Sequence, residues 1–145
     1  MKKDFLIFGA PQIKDEEINE VIDTLKSSWL GTGPKVAKFE NDFKKYKGVQ
    51  NALAVNSCTA ALHLSLVSLD LQKDDEVITT PLTFCSTINS IIHSGAKPVL
   101  ADIDPLTMNI DPENIERKIT SKTKCILPVH FAGRSCDMDK IMKIA

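Results

Sequence analysis

Large charge imbalances and long apolar runs are both missing from this sequence of 145 residues. Lysine and arginine number 18 against 19 aspartates and glutamates, so the formal net charge is -1 and gives no reason to expect nucleic acid or an anionic membrane as partner. The apolar run Phe5 to Phe8 is too short for a signal peptide or a membrane span. We therefore predict a cytoplasmic protein.

The cysteines and glycines do not form the patterns that bind metals or nucleotides. Cys58, Cys85, Cys125 and Cys136 form no CxxC pair and do not alternate with histidine at a zinc-ligand spacing. We expect reduced thiols and no metal site. Neither a GxGxxG turn after a strand nor a GxxxxGKS or GxxxxGKT loop occurs, which excludes the ordinary dinucleotide and nucleoside-triphosphate fingerprints.

The composition that is present fits a globular α/β protein. Apolar residues make up 43% and charged residues 26% of the chain, which is enough for one domain with a real core. Two amphipathic helical patterns, around Ile18–Leu25 and Val36–Tyr46, come first, and strand and helix patterns then alternate. This order predicts a mostly parallel sheet covered by helices on both faces. The predicted strands are Ala52–Val55, Glu76–Thr79, Pro98–Ile103 and Lys124–Val129, and the helices are Ala60–Leu69, Phe84–His93, Pro112–Ile119 and Met138–Ala145.

The last predicted helix, Met138–Ala145, has no glycine, proline or polar loop to end it. An uncapped terminal strand–helix unit favours a sequence cut within a domain. A natural small domain is the alternative.

The turn between the first predicted strand and its helix has the features of a phosphate site. Ser57 and Thr59 supply hydroxyl groups, and no acidic residue occurs between Val55 and Leu69. A helix start also exposes unpaired N–H groups and the positive end of the helix dipole. The ordinary alternative is that these hydroxyls only cap the helix, and the local pattern alone favours that alternative.

Further candidates follow the other predicted strands, where ligands of open parallel sheets bind. They are Thr80, Phe84, Asp102, Asp104 and His130. Each also has a structural explanation, because threonine caps helices, phenylalanine packs in cores, aspartate favours turns and histidine forms partly buried hydrogen bonds. No nucleophile–base pair can be named from the spacing.

Five stretches of the sequence together resemble one enzyme family. The match holds in order and spacing to the DegT/DnrJ/EryC1/StrS sugar aminotransferases, which are pyridoxal-phosphate (PLP) enzymes of the aspartate-aminotransferase fold. The resemblance covers essentially the whole chain. The matching stretches are Ser28–Pro34 (SWLGTGP), Asn56–His63 (NSCTAALH), Asp75–Pro81 (DEVITTP), Gly95–Val99 (GAKPV) and Lys124–Gly133 (KCILPVHFAG).

The resemblance implies a fold and a cofactor site. The fold would be a three-layer α/β/α sandwich, the large domain of PLP-transferase fold type I, with residues 1–145 as its N-terminal portion and the small C-terminal domain absent. Ser57, Cys58 and Thr59 would hold the PLP phosphate, and Phe84 would stack on the ring. Cys58 stands where the family has glycine. This replacement is harmless if Cys58 is the first residue of the helix, and unfavourable if the backbone at this position needs a positive φ.

The resemblance also implies an activity whose central residue is missing. No lysine here matches the Schiff-base lysine, which would lie beyond Ala145, so no catalytic residue is assigned. The parent enzyme would aminate a nucleotide-linked keto sugar for cell-surface polysaccharide biosynthesis, with an amino-acid donor such as glutamate, as a homodimer. Thr32 and His130 are candidate substrate contacts. The alternatives are a related PLP-dependent sugar dehydratase, in which histidine replaces that lysine, and a short non-catalytic binding or dimerising protein.

Overall fold

Two compact units make up the chain, Met1–Ala54 and Val55–Ala145, and the computed structural model describes residues 9–145. The first unit contains the two predicted amphipathic helices, α1 (Asp15–Lys26) and α2 (Pro34–Lys47). Three acidic residues occupy the first turn of α1, where their negative charges stabilise the helix by interacting with the positive end of its dipole. Gly48 ends α2 in the left-handed conformation, with φ of 66°.

The loop that joins α1 to α2 is held by its own side chains. The indole N–H of Trp29 donates to the carbonyl oxygen of Thr32 at 3.0 Å. A Cβ atom on Gly33 would lie 2.2 Å from the indole nitrogen, so the ring leaves space only for glycine there. Lys35 binds the carboxylates of Glu20 at 2.7 Å and Asp23 at 2.9 Å. The hydrogen bond to Glu20 is the main reason why the pKa of Lys35 is raised above its usual range.

The second unit is built on a three-stranded parallel sheet. Its strand order is β2-β1-β3, and both neighbours of β1 run parallel to it. The predicted parallel sheet is therefore confirmed. In chain order the elements are α3 (Cys58–Val67), β1 (Glu76–Thr79), α4 (Cys85–His93), β2 (Lys97–Leu100), α5 (Pro112–Lys118), β3 (Thr123–Ile126), a short 3-10 turn (Phe131–Gly133) and α6 (Met138–Ile144).

Helices cover both faces of this sheet because side chains alternate along β1. Val77 packs with Leu66 of α3 and Ile91 of α4 on one face. Ile78 points to the other face, where it packs in a cluster with Ile115 of α5 and with residues of α6. The two clusters join the sheet to a layer of helices on each face, which gives the predicted α/β/α sandwich.

The prediction of a first strand over Ala52–Val55 is wrong. The segment is not a strand, and none of the three described strands pairs with it. The N–H of Ala54 donates to the Glu40 carboxylate at 2.8 Å instead of to a ladder partner. Alanine also favours strands only weakly, and Leu53 is 77% exposed, so little apolar burial supports pairing.

Two further predicted strands are shorter than the apolar pattern indicated. The third predicted strand, Pro98–Ile103, ends as β2 at Leu100, and Ile103 forms an antiparallel bridge with Ile110. The predicted strand Lys124–Val129 ends as β3 at Ile126. The helix signals were more accurate: Asp111 caps α5 with Pro112 at the first position, and the side chain of Asp137 caps α6. None of the helices described between residues 9 and 145 has the length and apolarity needed to cross a membrane.

The position of Ile78 predicts a large loss of stability on truncation. Its side chain is fully buried at the centre of the sheet. We expect Ile78→Ala to lower the free energy of unfolding by about 2–5 kcal/mol, through lost transfer energy and the cavity left behind. Urea unfolding followed by far-UV circular dichroism measures this change. Leu106→Ala is the matched control, since Leu106 is 86% exposed, and an equal loss in both variants would contradict this core assignment.

Candidate functional site

The first turn of α3 has the geometry of an anion site. Ser57 is the N-cap, in extended conformation, and its hydroxyl oxygen accepts the N–H of Ala60 at 3.1 Å. Ser57, Cys58 and Thr59 are all exposed. The first turn contains no acidic residue. The helix dipole therefore points its positive end at solvent without a competing carboxylate on the same turn.

Several donors of this turn are unused. Among residues 9–145, the backbone N–H groups of Cys58 and Thr59 and the hydroxyl of Thr59 have no hydrogen-bond partner. Ser57 is different, because its hydroxyl oxygen already caps the helix and its O–H donates to the side-chain Oδ1 of Asn56 at 3.5 Å. The turn thus offers two N–H donors and one O–H donor to an incoming anion.

Cys58 fits the turn in place of the family's glycine. It is the first residue of α3, and it is not among the residues with positive φ. A side chain at this position therefore causes no backbone strain, and the N–H remains available.

Phe84 lies at the start of α4, which follows β1 at the carboxyl edge of the sheet. It is the N-cap residue of α4, and 75% of it is exposed. The structural explanation, a core phenylalanine, is therefore wrong. α4 packs against α3, and the rings of His63 and His93 meet edge to face with centroids 6.3 Å apart. An exposed aromatic ring thus lies at the start of the helix that packs against α3.

His130 follows β3 and opens a tight loop. It is exposed, and its Nδ1 accepts the N–H of Cys136 at 3.1 Å. The loop turns through two residues with positive φ, Ala132 at 50° and Gly133 at 80°. His130 therefore combines a structural hydrogen bond with an exposed position at the carboxyl edge.

The other sequence candidates have structural partners or belong to the first unit. Asp104 accepts the N–H groups of Leu106 and Thr107, which makes it a turn residue. Thr80 is buried and accepts the N–H of Leu82, so it does not cap α4. Thr32 belongs to the first unit, whereas the remaining candidates belong to the second.

The four thiols divide into two classes. Cys58 and Cys85 are exposed first residues of α3 and α4. Burial raises the pKa of the Cys125 and Cys136 thiols, which lowers the fraction of reactive thiolate near neutral pH. No group of three or more metal-ligating side chains occurs among residues 9–145.

One residue of this edge was not predicted from the sequence. Asn109 is 3% exposed, and its amide binds the backbone on both sides of the His130 loop. The available sequence signal was an amide side chain between two apolar residues, Met108 and Ile110. Such a residue is polar in an apolar setting, and a buried polar side chain needs hydrogen-bond partners.

Comparison with known proteins identifies the family. The chain belongs to the DegT/DnrJ/EryC1/StrS aminotransferase family, whose profile matches residues 11–145. One structural neighbour is Streptococcus pneumoniae Spr1654, assigned as a sugar aminotransferase and solved in PMP and PLP forms. The PLP form superimposes with a TM-score of 0.89 at 40% identity, over 96% of this chain and 36% of that one. Helicobacter pylori PseC, an aminotransferase involved in the biosynthesis of pseudoaminic acid, superimposes with a TM-score of 0.89 at 33% identity, over 95% of this chain and 38% of its own.

A relative with a named function is likewise matched over only part of its length. The spore coat polysaccharide biosynthesis protein SpsC of Bacillus subtilis is 55% identical over 141 residues, which are 97% of this chain and 36% of SpsC. The chain therefore spans little more than a third of the length of these relatives. The fold and family assigned by resemblance are confirmed.

The cap at Ser57 predicts a measurable stability effect. Ser57→Ala removes the acceptor of the Ala60 N–H, and we expect unfolding to become easier by about 1 kcal/mol. Chemical denaturation at equilibrium checks this value. Ser57→Asn is the control, because asparagine caps equally well and should restore stability; a loss equal to that of alanine would contradict the capping geometry.

Proposed function

We propose that this chain supplies the phosphate-binding and ring-stacking part of a PLP-dependent sugar aminotransferase. The observation that carries the proposal is the first turn of α3, with unpaired N–H groups on Cys58 and Thr59 and no acid in the turn. A dianionic phosphate is the ligand that such a helix start favours. Family membership supports PLP in particular, because a related structure is described as a PLP form.

Each residue of the turn would do a separate part of the binding. Cys58 and Thr59 would donate their backbone N–H groups to phosphate oxygens, and Thr59 would add its hydroxyl. Ser57 would shape the turn by capping α3. Charge-assisted hydrogen bonds to a phosphate are stronger than neutral ones, so these donors favour the bound cofactor.

Phe84 would orient the cofactor ring. Its exposed aromatic face lies beyond the carboxyl end of β1, where ligands of parallel sheets bind. PLP, when bound, supplies the electron sink for chemistry at an amino group. The chain's own contribution is to hold the phosphate and cover the ring.

The substrate of the whole protein follows by analogy with named relatives. We propose a nucleotide-linked keto sugar as acceptor and an amino acid such as glutamate as donor, with Thr32 and His130 as substrate contacts. SpsC, by its name, acts in spore coat polysaccharide biosynthesis, which supports a role in polysaccharide assembly. We propose the cytoplasm as the location of the whole protein, where thiols such as those of the chain's four cysteines stay reduced.

We also propose a homodimer for the whole protein. α1 presents an apolar face in which Ile18, Val21 and Leu25 are each 47–60% exposed. A contiguous apolar face of this kind favours burial against another surface. Light scattering of the whole protein tests this, and a monodisperse monomer at micromolar concentration contradicts it.

Thr59→Val tests the phosphate turn. Valine keeps the shape of threonine but removes one O–H donor to a charged group, worth about 1.5–3 kcal/mol. In a full-length protein that carries this segment, we expect PLP affinity to fall roughly ten- to hundredfold. Absorbance titration with PLP measures the change.

A matched control for that experiment is Thr24→Val, a threonine of α1 whose hydroxyl donates within its own helix, to the carbonyl oxygen of Glu20 at 2.8 Å. Its PLP affinity should equal that of the unmodified protein. Unchanged affinity in Thr59→Val would assign the turn to helix capping alone.

The chain by itself should not transaminate. No lysine in residues 1–145 matches the family's Schiff-base lysine, so the group that shuttles the proton is missing. Incubation of the pure 145-residue protein with PLP and glutamate should give no enzymatic formation of 2-oxoglutarate. Steady turnover, measured by a coupled dehydrogenase assay, would overturn this expectation.

A further inference from the structure

Asn109 lies on a closed hairpin beside the His130 loop. The hairpin begins and ends at the antiparallel bridge between Ile103 and Ile110. Within it, the carbonyl oxygen of Asn109 accepts the N–H of Asp104 at 2.9 Å, and its own N–H donates to the Thr107 hydroxyl at 3.3 Å. The backbone of Asn109 is therefore fixed before its side chain makes any contact.

The buried amide of Asn109 joins this hairpin to the loop after β3. Its Nδ2 donates to the carbonyl oxygens of Arg134 at 3.1 Å and Ser135 at 3.0 Å. Its Oδ1 accepts the N–H of Phe131 at 2.9 Å. The orientation of the amide is settled by these partners, since a flipped amide would face its NH₂ toward an N–H and its oxygen toward two carbonyls.

The loop held in this way fixes the ring of His130. The Nδ1 of His130 accepts the N–H of Cys136, whose thiol in turn donates to the Val129 carbonyl oxygen at 3.2 Å. A ring nitrogen that accepts an N–H carries no proton, so the neutral imidazole has its proton on Nε2. Among residues 9–145, Nε2 has no hydrogen-bond partner, and His130 is exposed.

The loop needs an external tie because its backbone is strained. Ala132 has φ of 50°, which an L-residue with a Cβ adopts at a cost. Local strain of this kind persists only where surrounding contacts hold it. The three hydrogen bonds of the Asn109 amide, on both sides of Ala132, are such contacts.

We propose that Asn109 is a positioning residue for the substrate side of the site. It holds the loop in which His130 is locked as the Nε2–H tautomer, and this N–H is offered beyond the carboxyl end of β3 to an oxygen acceptor of a bound ligand. The ligand named in this inference rests on the proposed function. The fixed loop and the single tautomer of His130 do not depend on that function.

Nuclear magnetic resonance of the 145-residue chain tests it without any cofactor. Two-bond ¹H–¹⁵N correlation spectra of the His130 ring should show the Nε2–H tautomer at a pH where the ring is neutral. In Asn109→Ala, the tautomer signature should shift toward the mixture found in free histidine. Amide exchange at Phe131 should become about tenfold faster, the effect of one lost hydrogen bond.

Two further variants make the result specific. Asn109→Asp keeps an acceptor for the Phe131 N–H but loses both donors, so it should preserve protection at Phe131 and still disturb the tautomer. Asn114→Ala is the control, because Asn114 of α5 also donates a side-chain hydrogen bond, but to Asp111 at 3.0 Å and not to the loop. Its His130 signals should match those of the unmodified chain.

The outcomes separate this inference from the proposed function. An Nδ1–H tautomer in the unmodified chain overturns the inference even if Asn109→Ala fails to fold. Unchanged His130 signals in a folded Asn109→Ala or Asn109→Asp variant also overturn it. Neither result depends on PLP binding, whereas failure of the Thr59→Val titration would leave the loop result intact.

Discussion

The alternation of side chains along β1 is the constraint on which the second unit depends. Val77 and Ile78 are neighbours in sequence but belong to different apolar clusters on opposite faces of the sheet. Parallel pairing on both sides of β1 places the carboxyl ends of all three strands at one edge. The loops that carry Phe84 and His130 therefore meet solvent at the edge where ligands of parallel sheets bind.

The sequence predicted those elements whose signals are local. Helix starts at Asp111 and Asp137 were readable because a capping side chain bonds within three residues of itself. Apolar runs correctly indicated β1, β2 and β3, but they also indicated a strand that does not form and did not show where the strands end, because pairing depends on a partner elsewhere in the chain. The segment Ala52–Val55 shows this limit, because its residues predict a strand, yet its Ala54 N–H bonds to the carboxylate of Glu40.

The same distinction applies to the site. Ser57, Cys58 and Thr59 are contiguous, so the start of a single helix accounts for their position. The family resemblance then suggested the phosphate of PLP as their ligand. The contribution of Asn109 is not local, since its amide reaches backbone groups 22–26 residues away. No periodicity or turn signal encodes such a distance, which is why the residue that ties the loops together was found only in three dimensions.

The packing of Trp29 on Gly33 has a consequence for spectroscopy. Trp29 is the one tryptophan of the chain and Tyr46 the one tyrosine, and both belong to the first unit. Trp29 is 58% exposed in its loop, so its emission reports local changes there. Tryptophan and tyrosine emission therefore originates in the first unit, whereas the fluorophores of the second unit are phenylalanines. A melting curve recorded by tryptophan emission reports the surroundings of Trp29, so the sandwich core of the second unit requires a probe of its own.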